Sequence, residues 1–164
     1  LGCRDGVMME YNMPTLISDE KSENSAREIE EDNLYEPCPG LPSKHQLTCY
    51  FSLGEWWYAT GIGFKNMGEL CSEISNLEHK KICYLGIGRA ISARVDFDLP
   101  SAVQECTLMQ DMNSEAICRA GLKWEFYANP EMVNIYPKIC EGLAPAGRNI
   151  CEENWNIVEV YKNG

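Results

Sequence analysis

"KKICYLGIGRAIS", residues 80–92, is the stretch on which the reading of this chain turns. Gly86-Ile87-Gly88 follows Cys83 closely, and Arg89 comes next. Three readings compete: a glycine loop that cradles phosphate, a reactive cysteine, and a packing signature. A phosphate loop follows a strand and is usually completed by Gly-Lys-Ser/Thr, and neither feature is present. The choice between the other two depends on where the remaining cysteines stand.

Nine cysteines occupy positions 3, 38, 49, 71, 83, 106, 118, 140 and 151. Taken as the pairs 38–49, 71–83, 106–118 and 140–151, they have internal spacings of 11, 12, 12 and 11. The gaps between successive pairs are 22, 23 and 22, so the pair recurs every 33 to 35 residues. A period in this range is the signature of a helical solenoid. The flanking residues keep the same register. Three positions after Cys3, Cys49, Cys83, Cys118 and Cys151 stand Gly6, Ser52, Gly86, Gly121 and Asn154, all small or short. The next position holds Val7, Leu53, Ile87, Leu122 and Trp155, and four further on come Tyr11, Trp57, Ile91, Phe126 and Glu159. Apolar residues at i and i+4 form one stripe of a helix. Glu159 breaks the stripe, as a terminal cap with one solvated face should. The recurring small residue predicts helices that cross closely. Gly86 is thereby read as a packing residue and Cys83 as one of a series.

The other helix of each unit is also visible. Asn129-Pro130 reads as a cap and first helical residue leading into "EMVNIYPKIC", Asp98-Leu99-Pro100 opens "SAVQEC", and Asn66 precedes "MGELC". Each segment ends at the first cysteine of a pair, and a polar turn such as "SNLEHKK" or "EGLAPAGRN" follows. One unit is therefore helix, turn, helix, and its two cysteines face each other across an antiparallel hairpin. Disulfides Cys38–Cys49, Cys71–Cys83, Cys106–Cys118 and Cys140–Cys151 are the expected pairing. Each closes a loop of about a dozen residues, worth about 3 kcal/mol by chain-entropy reasoning. Zinc sites need cysteines two to four residues apart, and none are. Disulfides place the chain in an oxidising compartment: secreted, cell-surface or periplasmic. A second Gly-Ile-Gly, Gly61 to Gly63, is out of register with the first and reads as the end of a helix.

The segment "GIGRAISARVDFDLPSAVQEC", residues 86–106, resembles the Sel1-like branch of tetratricopeptide-type repeats in its cysteine-rich, disulfide-stapled secreted form. It has the second-helix glycines, an acidic turn, a next helix with Ala, and the cysteine. The likeness spans about residues 38–158. It implies an all-α fold, a right-handed α/α superhelical solenoid of about four helical hairpins, each stapled by one disulfide. It also implies protein or peptide binding, and it carries over no catalytic residues.

Residues 1–15 repeat the second-cysteine register around Cys3 and read as part of a unit whose first half lies upstream. Cys3 is expected to be free or bonded to another chain, and the chain to be a mature or excised piece. Residues 16–36, "LISDEKSENSAREIEEDNLYE", form an acidic insertion with eight acids and two bases. It reads as a solvated segment, with Ser25 and Glu28 able to frame one capping box, or as an acidic arm for a basic partner or cations. Residues 37–164 are the stapled repeat domain with its C-terminal cap.

The net charge of -11 argues against nucleic acid or an anionic membrane surface as partner. No apolar run approaches the roughly 20 residues needed to span a bilayer. His45 and His79 fall between paired cysteines and are expected at the surface in no catalytic role, and the acids form no pair suited to glycoside chemistry. No enzyme activity, metal or cofactor is expected. The partner-binding candidates are Trp56, Tyr58, Tyr84, Arg89, Trp124 and Tyr127, which fall off the core stripe on successive second helices. Exposed aromatics with Arg are residue types that anchor protein partners; the competing reading is that they pack between units. The expected function is a secreted or surface-exposed binding and assembly module. The alternatives are an accessory half of a larger enzyme, with its catalytic residues upstream of Leu1, and a structural subunit of a surface polymer.

Overall fold

The structure, a computed structural model, describes residues 33–128 and 138–163, with side chains over 33–124 and 138–154. The described residues are helical, with no strand among them. A 3-10 turn at Cys38–Gly40 leads into α1 (Ser43–Ala59), followed by α2 (Phe64–Glu73), α3 (Leu77–Arg94), α4 (Leu99–Cys106), α5 (Met112–Ala128) and α6 (Pro145–Asn163). Long and short helices alternate up to α5.

Local chemistry sets several boundaries. Asn76 caps α3, its side-chain oxygen accepting from the backbone N–H groups of Glu78 (2.9 Å) and His79 (3.1 Å). Asp98 caps α4 by accepting from Ser101 N–H at 3.0 Å, as "DLP" leads one to expect. Asp111 accepts from the N–H groups of Asn113 and Ser114, both at 2.8 Å, at the start of α5. Helix α1 stops at Thr60, and Gly61 then takes φ +92°, the left-handed region that favours glycine after a helix. The expected start of α2 at Asn66 is corrected to Phe64. Gly63 stands at the cap without a side-chain bond, and Phe64 stacks on Tyr58 with ring centroids 5.3 Å apart. Apolar docking fixes that entrance, so no polar cap is needed. The segment beginning at Asn129-Pro130 lies outside the described residues up to 137.

All four expected disulfides are present, with Cα–Cα distances of 5.4, 5.7, 5.7 and 5.9 Å. Their placement is more regular than the spacing alone implies. Cys49, Cys83, Cys118 and Cys151 are each the seventh residue of a long helix. The polar stretches between paired cysteines are thus largely the first turns of those helices rather than open turns. The first cysteines are less uniform: Cys71 and Cys106 lie in α2 and α4, whereas Cys38 sits in the 3-10 turn and Cys140 in a turn before α6.

The long helices carry the core. Helix α3 lies between α1 and α5, and α5 also packs on α6. Leu53, Trp57, Ile87, Ile91 and Leu122, the stripe residues with described side chains, are buried. The opening Gly-Ile-Gly serves both interfaces of α3. A Cβ placed on Gly86 would lie 2.1 Å from the carbonyl oxygen of Phe51 in α1, and one on Gly88 would lie 2.0 Å from that of Cys118 in α5. Gly121 answers from α5, where a Cβ would come within 2.1 Å of the Leu85 carbonyl oxygen. Only glycine lets the backbones approach this closely. Ser92 bridges the same crossing, its hydroxyl donating to the carbonyls of Gly88 (3.2 Å) and Leu122 (3.4 Å). The stretch is a packing signature, as its register predicts.

Candidate functional site: a cleft at the stapled end

The residues after Cys49, Cys83 and Cys118 each reach toward the next stapled segment. Tyr50 stacks on His79 at the start of α3, with centroids 4.5 Å apart and planes 22° from parallel. The Asp111 carboxylate at the start of α5 acts on the Tyr84 phenol. Arg119 donates to the carbonyl oxygen of Glu141 at 3.0 Å and pairs with Glu115. These three contacts close successive segment boundaries at the same end of the long helices.

At the first boundary the closure leaves a cavity of about 310 Å³. It is lined by Tyr35, Tyr50, Glu73, Ser75, Asn76 and His79, with Pro39 and Ile74 completing the wall. Each wall is held in place. Tyr35 lies edge-on to Trp57 (6.0 Å), and its hydroxyl donates to the Leu70 carbonyl and to Glu73 Oε2, both at 3.0 Å. The Trp57 indole N–H donates to the Leu34 carbonyl at 2.9 Å, tying residues 33–36, the end of the acidic stretch, onto α1. Residues 16–32 lie outside the described residues. Burial raises the Tyr35 phenol well above its ordinary range, and the hydrogen bond and charge of Glu73 push the same way. Burial likewise raises Tyr50, with the Glu36 carboxylate adding to it. Both phenols stay neutral wherever proteins normally work.

The aromatic set expected from sequence is placed differently. Trp56, Tyr84 and Arg89 are 1, 4 and 8 % exposed, which corrects the expectation that they share an open face. Helix α1 is covered on more than one side, so a residue beside the stripe is still inside. Tyr84 donates to the Gly68 carbonyl at 3.2 Å. Arg89 lies over the Phe51 ring at 5.3 Å, and Trp124, half-buried, meets the same ring edge-on at 5.2 Å. Arg89 and Trp124 are thus brought together, around a Phe51 that the sequence reading did not single out. Tyr58 is exposed, stacked on Phe64, with the Arg94 guanidinium 4.8 Å above its ring and Arg94 paired to Glu55 at 3.1 Å. The side chain of Tyr127 and all of Cys3 lie outside the described residues.

Sequence reasoning missed Tyr35, Tyr50 and Glu73 and gave His79 no role. A signal for one of them was available: Tyr50 and Tyr84 both follow a second cysteine directly, which is a register position. Among the described residues no group of three His, Cys, Asp or Glu is placed to hold a metal ion, and no helix is long and apolar enough to cross a membrane. Comparison of the chain with family models, with curated proteins and with solved structures gives no match in any of the three.

Proposed function

We propose that the chain is a non-catalytic binding and assembly module of an oxidising compartment (secreted, cell-surface or periplasmic) that receives part of a protein or peptide in the cleft between its first two stapled segments. In this reading the architecture is a right-handed α/α solenoid of about four hairpins related to the Sel1-like kind, with the leading helix of the first hairpin shortened to a 3-10 turn. The observation that carries the proposal is the repeated closure at the stapled end. The residues following Cys49, Cys83 and Cys118 act on the next segment, and at Tyr50 that closure leaves a cavity. Solenoids use the surfaces generated by such repetition for binding. Four disulfides fit an extracellular setting.

The test is site-specific cross-linking in native material. A photoreactive side chain at Ser75, on the cleft wall, is expected to capture one discrete polypeptide. The same group at exposed Lys65, near the other end of α2, is expected to capture none. Equal cross-linking from both positions, or none from Ser75, would remove the cleft as a protein-binding site.

A further inference from the structure

We propose that the cleft is a receptor for an organic cation, the guanidinium or alkylammonium group of a basic side chain, held between the tyrosine rings and the Glu73 carboxylate. The proposal deepens, and rests on, the reading of the cleft as the binding site.

The lining is selective in its chemistry. Among the described wall residues Glu73 is the sole Asp or Glu, and none is Lys or Arg. The carboxylate accepts from Tyr35, which fixes it at the wall. Tyr35 and Tyr50 contribute aromatic rings, whose electron-rich faces attract cations, most strongly where water is partly excluded. Guanidinium and alkylammonium groups are matched to such a mixture because one side can rest on a ring while another donates to a carboxylate.

The size and the field agree with this chemistry. A cavity of about 310 Å³ stands at the lower end of the range for small-molecule sites, roomy for one side chain or a small amine. Glu36 lies near enough to act on the Tyr50 phenol. Glu36 adjoins Tyr35 in the sequence, in a chain of net charge -11. A net negative charge favours cations over anions at the molecule's surface.

The probes are acetylated, amidated tripeptides Gly-X-Gly with X as Arg, Lys, norleucine or Glu, together with free methylguanidinium. Binding is followed on the intact oxidised chain by amide NMR shifts and calorimetry. Saturable binding is expected for the Arg and Lys peptides and for methylguanidinium, with shifts at Ser75, Asn76 and His79. Glu73→Gln keeps the shape of an exposed side chain and is expected to weaken that binding about tenfold or more without moving the melting temperature. A tripeptide tighter than methylguanidinium identifies a polypeptide side chain as the source, and equal affinities identify the cationic group alone; both support the proposal. Norleucine binding as tightly as Arg, indifference to Glu73→Gln, or no cation binding would overturn it. If cations fail while Ser75 still cross-links a partner, the cation assignment falls and the binding module stands. If cations bind and Ser75 captures nothing, the protein-binding reading falls.

Discussion

Adjacent residues with similar side chains can serve opposite ends, and Trp56 and Trp57 show that they need not. The i, i+4 stripe selects Trp57 for the core and leaves Trp56 beside it, yet the two are 1 and 0 % exposed. A periodicity argument assumes one buried face, whereas α1 is covered on several sides. Trp56→Ala and Trp57→Ala are therefore expected to destabilise similarly, by about 3–5 kcal/mol each, as truncation of a large core residue does. Denaturant unfolding of both variants checks this; a Trp56→Ala loss of less than about 1 kcal/mol would contradict the packing described. Titration supplies a second expectation at this scale. The phenols of Tyr35, Tyr50 and Tyr84 are raised above their ordinary 10.0, chiefly by burial. The folded state then holds protons that the unfolded state has released, so stability is complete below about pH 10 and falls as pH rises further. Buried Lys123 is shifted the other way, down from 10.5, again chiefly by burial, with Glu152 opposing. Its contribution rises with pH but is complete by about 10.5, where the lysine is neutral in both states. Above that pH these three phenols are the shifted groups still titrating among the described residues. Urea midpoints measured on either side of it should drop with alkalinity, and a flat profile would refute the burial of the phenols.

At the scale of elements the decisive feature is how closely α3 approaches its two neighbours. Alanine is the better helix former by about 1 kcal/mol, so Gly86→Ala and Gly88→Ala would stabilise an isolated helix. Here each new methyl would meet a neighbouring carbonyl oxygen at close to 2 Å, and the neighbour is backbone, which cannot swing aside. Both substitutions are expected to destabilise by at least about 1–3 kcal/mol, the usual cost of overpacking. Gly40→Ala, where an added methyl meets nothing within 4 Å, is the control and should be close to neutral. Unfolding curves on the three variants decide the matter through their sign alone. The cysteine register made Gly86 legible as a small-residue position. Gly88 was not legible, because its need for glycine is imposed by Cys118 and Gly121 on a helix some 30 residues further along.

For the whole molecule the question is what keeps the described helices folded. Each disulfide closes a loop of about a dozen residues and contributes about 3 kcal/mol. Four such contributions rival the entire net stability of a typical domain, about 5–15 kcal/mol. Full reduction and alkylation is therefore expected to remove most of the helical circular dichroism, while the oxidised protein retains it. Retention of native helicity after reduction would show that the glycine crossings and core suffice unaided. The acidic balance acts at the same scale: with -11 net charge, the molecule's own field favours a cationic partner over an anionic one.

Local spacing carried the sequence reading furthest. The recurrence of cysteines determined the helical class and all four pairings, because a disulfide across a short hairpin depends only on residues about a dozen apart. The Asp98 cap and the Gly61 stop were readable for the same reason: cap chemistry acts within a few residues. Tertiary structure alone decided that Trp56, Tyr84 and Arg89 are buried, and that α3 is lined by glycine toward both neighbours. It alone assembled a cleft from Tyr35, Tyr50, Glu73 and His79. Those outcomes depend on what a neighbouring segment places opposite a side chain. That is a property of the distance between helices in space, which no period along the chain records.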